Sequence, residues 1–196
     1  ARARSDEDGK KMCRAYAKKF YDILGDAVYD EDVAGLEETL VRTLKEQGLT
    51  ISTAESCTGG EIAKRFTDLP GASSFFLGGM VTYTNGAKTA LLGIDPALIE
   101  EKGAVSREVA REMAQRARAR LGADIGLGVT GLAGPDGDGV HEVGTVFVSM
   151  AVEGRTWVRE LHMGAHRTRS FIRCMAGNHA YDMMRRYLTG INVEMK

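Results

Sequence analysis

"ADIGLGVT", residues 123–130, decides the fold class. From Ile125 to Val129 it carries no polar side chain, so both faces of the strand it predicts must be covered. Before it, Ser106 reads as the cap of a long helix whose apolar face is Val109, Met113, Ala117 and Leu121, with Glu108 favouring the dipole of the first turn. After it comes a glycine-rich loop, "GLAGPDGDGVHE", and then two strands, "VGTVFVSMAV" and "TWVRELHM", joined by the hairpin signal Glu153-Gly154. Further upstream, "LTIST" reads as a buried strand and "GEIAKRFTDL" as a helix stopped at Pro70-Gly71. "GGMVTYT" is a second strand, followed by the Asn85-Gly86 turn and a short helix. The last helix is expected over about Arg167 to Leu188. Alternating strands and helices with a late hairpin predict an α/β protein, a three-layer α/β/α sandwich with a mixed, mostly parallel sheet.

The N-terminal part is different. Residues 1–9 read as polar and disordered, and Met12, Tyr16, Phe20, Ile23 and Leu24 follow helical spacing up to Gly25. An acidic linker, "DAVYDED", comes next, with Asp32 a candidate cap for a helix carrying Val33, Leu36, Leu40 and Leu44. The chain begins at Ala1 rather than Met, and the expectation is a piece of a longer protein.

Bulk properties narrow the function classes. With 26 basic and 27 acidic residues the net charge is −1, which gives no pull toward nucleic acid or an anionic membrane. The arginines from Arg116 to Arg120 read as a solvated helix face. Cys13, Cys57 and Cys174 form no CxxC pair and no even disulfide set, so a reducing cytoplasm is expected. No apolar run approaches the ~20 residues of a membrane span.

Three loops should leave the carboxyl ends of the parallel strands, where ligands of such sheets sit. The first is "TAESCTGG", residues 53–60. Ser56 and Thr58 offer hydroxyls, and Gly59-Gly60 would let a ligand approach the unpaired N–H groups of the following helix. Equally, Ser56 or Thr58 could simply cap that helix. Cys57 reads as packed rather than reactive, and Glu55 as a buried structural acceptor. The second loop region supplies Ser73, Ser74, Tyr83 and Lys88. A Ser-Lys pair hydrolyses amides if the lysine is neutral, which takes a shift of ~3 units from ~10.4. A charged lysine would clamp an anion instead. In the third, "VTGLAGPDGDG", Thr130 and Gly131 border the loop; Asp136 and Asp138 miss the calcium-loop template, and His162 and His166 sit poorly for zinc. No metal and no cofactor is expected.

In this order "TAESCTGG", "LPGASSFF", "GGMVTYTNGAK", "LLGI", "GAVSREVAREMA", "VTGLAGPDG" and "VGTV" resemble the C-terminal domain of the CinA (competence/damage-inducible) family, over about residues 33–188. The resemblance makes residues 1–30 the tail of a preceding domain and linker, and 31–196 the CinA-like domain. It implies a nicotinamide-nucleotide amidase that converts nicotinamide mononucleotide to nicotinate mononucleotide and ammonia in pyridine nucleotide salvage. It also implies a homodimer, no metal, and an upstream pyrophosphatase domain in the full-length chain. Carried over by position, it makes Ser73 the nucleophile, Lys88 the general base and Tyr83 its assistant. Ser56, Thr58, Gly59, Gly60, Thr130, Gly131 and Arg167 would bind substrate. The sequence departs from the family pattern at His141-Glu142, where Lys-Pro is usual, and at His166, where an acid is usual. "NGAK" replaces "NEAK". The competing expectation is a catalytically silent nucleotide-binding or dimerisation module.

Overall fold

The computed structural model describes residues 4–194. Five strands form one sheet in the order β2-β1-β3-β4-β5. They are β1 Ile51–Glu55, β2 Phe76–Val81, β3 Ile125–Gly131, β4 Thr145–Val152 and β5 Arg155–His162. β1 lies parallel to both β2 and β3, while β4 and β5 continue antiparallel. The mixed α/β fold is as expected, but the ladders divide evenly into two parallel and two antiparallel, because the late hairpin adds two antiparallel pairings.

Helices cover both faces. On one side lie α2 Leu36–Gln47, α3 Glu61–Thr67 and α7 Arg169–Leu188. Their core is centred on Phe66, whose ring meets Phe75 and Tyr181 edge-on at centroid distances of 5.9 and 4.8 Å. Tyr181 Oη donates to the Ile62 carbonyl at 2.8 Å, which ties α7 to α3 without leaving a buried hydroxyl unpaired.

On the other side, after the short helices α4 Asn85–Ala87 and α5 Pro96–Lys102, α6 Arg107–Leu121 runs along β3 and β4. Ser106 caps it by accepting from the Val109 N–H, as its sequence predicts. Gly126 and Gly128 explain how close α6 comes. A Cβ on Gly126 would sit 2.1 Å from the Ala114 carbonyl oxygen, and one on Gly128 2.6 Å from the Ala114 nitrogen. The obstacle is helix backbone, which cannot rotate away. Gly126→Ala is therefore expected to cost about 3 kcal/mol, the upper end for overpacking, read as a fall in the urea midpoint at unchanged slope.

Two N-terminal expectations are corrected. α1 spans Asp6–Leu24 and begins inside the stretch expected to be disordered, because Ser5 accepts from the Asp8 N–H and three acids occupy the first turn. Residues 1–3 lie outside the described residues. α2 starts at Leu36 behind Gly35, not at Val33; Asp32 stands at φ 57° in the preceding loop and caps nothing. α7 likewise starts at Arg169 rather than Arg167, with Thr168 accepting from the Phe171 N–H. No helix of the described residues is long and apolar enough to cross a membrane.

Candidate active site

The chain leaves β1 toward β2 on one side and later returns to β3 on the other. The carboxyl ends of β1 and β3 therefore flank the switch point where such sheets bind ligands. A cleft of about 280 Å³ opens there. Ser56 and Cys57 come from the loop after β1, Tyr83 from the loop after β2, and Thr130 and Gly131 from the end of β3. Lys88 reaches in from a π-turn, Lys88–Leu92, of the kind that often re-aims a side chain at functional sites.

Lys88 is the unusual residue. Its side chain is 2% exposed. Its Nζ donates to Ser56 Oγ at 3.2 Å and to the Thr82 carbonyl at 3.0 Å, and no carboxylate pairs with it among the described residues. Burial disfavours the ammonium and lowers its pKa from the ordinary lysine value, with Cys57 a smaller opposing influence. When the amine is neutral the hydrogen bond can reverse, with Ser56 donating to Nζ. This is the geometry of a nucleophile and its base.

The neighbouring groups behave differently. The Cys57 thiol is buried and desolvation pushes it up to about 12, so it stays protonated and packed near neutrality. Thr130 Oγ1 donates to the Ala104 carbonyl at 2.7 Å and fixes the wall of the cleft. Tyr83 is exposed, and its Oη accepts from Arg169 Nη2 at 2.5 Å. Arg169 Nη1 also donates to the Gly134 carbonyl at 2.7 Å. One guanidinium thus ties the loops after β2 and β3 together at the cleft mouth, opposite Asp136.

Several expected site residues fall elsewhere. Ser73 occupies an exposed 3-10 turn, Ala72–Ser74, before β2, whereas Lys88 follows it. The six residues of β2, rising ~3.3 Å each, lie between the Ser73 turn and the segment that carries Lys88. Ser73 and Lys88 are not brought together; Ser56 takes that place.

Gly59 and Gly60 form no open anion cradle. The Glu55 carboxylate accepts from the N–H groups of Gly60, Ile62 and Ala63 at 3.0, 3.1 and 2.9 Å, and so fills the N-terminus of α3 from inside the protein. The Gly59 N–H donates to the Ser56 carbonyl, and Arg173 covers the turn by donating to the Thr58 carbonyl. Thr58 is buried beneath it, outside the cleft lining. Arg167 turns away onto the Phe171 ring, 4.7 Å from its centroid. Arg169 lines the cleft in its stead, and the Thr168 cap was the available signal, since it makes Arg169 the first helical residue.

A larger cavity, about 540 Å³, lies between α2, α3 and α7. Its charges are spent on one another: Arg65 pairs with Glu37, and Arg185 and Arg186 with Asp182. The smaller cleft instead holds a buried lysine, without a carboxylate partner among the described residues, against a serine hydroxyl.

The family model for the CinA C-terminal domain matches residues 33–188. The chain belongs to the CinA C-terminal domain family. A CinA-like protein of Desulfovibrio desulfuricans is 44% identical over 197 aligned positions, covering 99% of this chain and 46% of that protein. One from Geotalea daltonii is 45% identical over 179, covering 91% and 43%. The CinA domain described here thus spans about half the length of the curated relatives it matches. Among solved structures, the competence/damage inducible protein CihA from Agrobacterium tumefaciens is 35% identical with a TM-score of 0.75, over 83% of this chain and 98% of that one. The competence damage-inducible protein A from Klebsiella pneumoniae is 28% identical, also at 0.75, over 79% and 95%.

Proposed function

We propose that this CinA domain is an amidohydrolase that uses Ser56 as nucleophile and Lys88 as general base, with nicotinamide mononucleotide as the amide substrate. The observation that carries the reading is the 3.2 Å contact between a buried, unpaired lysine and a serine hydroxyl at the carboxyl end of the sheet. Resemblance to the CinA family supplies the substrate. The role first placed on Ser73 passes to Ser56, and that of Arg167 to Arg169.

Neutral Lys88 Nζ takes the Ser56 Oγ proton as the oxygen bonds to the carboxamide carbon. The tetrahedral adduct collapses with cleavage of the C–N bond, and Lys88 returns the proton to the departing ammonia. Water, deprotonated by the same amine, then attacks the ester; the bond from carbon to Ser56 Oγ breaks, Lys88 returns the proton to that oxygen, and nicotinate mononucleotide is released. Tyr83 and Arg169 stand at the mouth, where the guanidinium charge suits the substrate phosphate. Thr130 and Gly131 wall the cleft and no metal enters the scheme. The three cysteines are free thiols, which fits a cytoplasmic setting. A homodimer and an upstream domain belong to the same family-based reading.

Ammonia release measured with the mononucleotide, its riboside and the full dinucleotide tests the proposal. Turnover is expected to be fastest with the mononucleotide. Binding of the mononucleotide by calorimetry without any ammonia would instead identify a silent binding module.

A further inference from the structure

A second cleft, about 450 Å³, lies between α6 and the β4–β5 turn and shares no residue with the candidate active site. Every charged side chain lining it is an arginine: Arg111, Arg118 and Arg155. The candidate active-site cleft and the larger cavity, by contrast, each include a carboxylate, Asp136 and Glu37. Arg42, Arg65, Arg107, Arg116, Arg159 and Arg173 each face a carboxylate. Arg111 and Arg118 have no ion-pair partner among the described residues, and Arg155 meets only Glu194, at 3.7 Å with both side chains mostly in solvent. Such a pair contributes little.

The guanidinium groups are positioned with little direct pairing. The Asp124 carboxyl, held low first by its hydrogen bonds from Thr50, is near enough to Arg118 to be lowered by its charge as well, without forming an ion pair. Arg118 Nε donates to the Asp124 carbonyl at 3.0 Å, which anchors the side chain while it keeps its charge. Arg155 lies over the Trp157 ring, 4.6 Å from its centroid. Gln115 Nε2 donates to Thr156 Oγ1 at 3.0 Å across the floor and holds α6 to β5. Three like charges around one cleft repel unless an anion joins them, and arginine forks match phosphate oxygens two at a time.

We infer that the cleft formed by Arg111, Arg118 and Arg155 binds a small phosphorylated anion, at a site separate from the proposed amidase centre. Val105 borders the proposed catalytic cleft just before α6, and Arg111 and Arg118 lie about 9 and 20 Å further along that helix at ~1.5 Å per residue. The inference does not depend on the amidase reading.

The test is calorimetric titration of the intact chain with pyrophosphate and, separately, inorganic phosphate at fixed ionic strength. Each titration is done in wild-type protein and in Arg169→Gln, so that an anion held at the other cleft is not counted. One saturable site surviving Arg169→Gln is expected, weakened about ten-fold or more by Arg118→Gln, the loss of a charge-assisted contact. Arg118→Lys should recover part of the affinity. Tighter binding of pyrophosphate than of phosphate would assign the site to a diphosphate-bearing ligand, and equal binding to a monophosphate. Absence of a saturable site in Arg169→Gln, undiminished binding after Arg118→Gln, or the same heats from chloride would overturn the inference. So would binding of heparin with none of either phosphate, which would mark an acidic macromolecule's surface.

Discussion

Lys88→Met should lower ammonia release by about 10³-fold or more, the scale on which removal of one member of a nucleophile-base pair acts, while leaving the protein folded. The methionine keeps an unbranched chain one atom shorter and removes a buried amine that has no carboxylate to compensate it. In the wild-type protein, the kcat/KM for ammonia release should rise with pH as the neutral amine accumulates. It should level off at a pKa below the ordinary lysine value, because burial lowers it. Stability follows with a definite sign. The folded lysine binds fewer protons than the unfolded one between the lowered pKa and ~10.4. Its unfavourable contribution is fully present below the folded pKa and disappears as pH rises to the unfolded one. Lys88→Met should therefore stabilise the protein near neutrality, with the advantage shrinking toward pH ~10. Urea unfolding at two pH values reads this directly. A stability loss at neutral pH would mean that the ammonium is held by favourable interactions and is not poised to lose its proton.

Glu55→Ala should be the most damaging single change to the turn that carries Ser56. The Glu55 side chain is 1% exposed and accepts three backbone N–H groups that open α3. Removing it leaves the buried Ile62 N–H and the partly buried Gly60 and Ala63 N–H groups unmet, at ~1–3 kcal/mol for a buried donor and less for the other two. A net loss of about 3–5 kcal/mol is expected, as when one side of a buried charged contact is deleted. Glu55→Gln keeps one acceptor oxygen and should cost roughly half of that. The activity of Glu55→Gln should fall further than its stability alone explains, since the Ser56 backbone is held by the same turn. A urea midpoint within error of wild type for Glu55→Ala would contradict this assignment.

Much of the fold was legible in advance, and the reasons are local. The apolar run at Ile125–Val129 required cover on both faces, and α6 and the α7 layer provide it. Ser106 announced α6, and Glu153-Gly154 announced the hairpin. The packed Cys57 followed from the usual burial of a neutral cysteine with no histidine near it in sequence, and a buried structural acceptor was the default reading of Glu55. What failed was reasoning about reach. Ser73 and Lys88 are fifteen positions apart in the chain, a spacing that looks short until β2 is seen to lie between them. Gly59-Gly60 looked like an anion site because a helix opens there; no spacing rule reveals that a carboxylate four residues earlier folds back to fill it. The arginine at the cleft mouth was misplaced by two residues because α7 begins at its Thr168 cap rather than at the strand end. The cleft of Arg111, Arg118 and Arg155 was invisible for a related reason. It joins one helix to a hairpin, and the sequence shows only a basic helix face.

The central claim is that Ser56, not Ser73, attacks the amide. Steady-state ammonia release from nicotinamide mononucleotide by Ser56→Ala and Ser73→Ala, each confirmed folded, tests it most directly. Ser56→Ala is expected to lose activity by about 10³-fold or more and Ser73→Ala to stay within about two-fold of wild type. Wild-type turnover by Ser56→Ala, or loss confined to Ser73→Ala, would contradict the account.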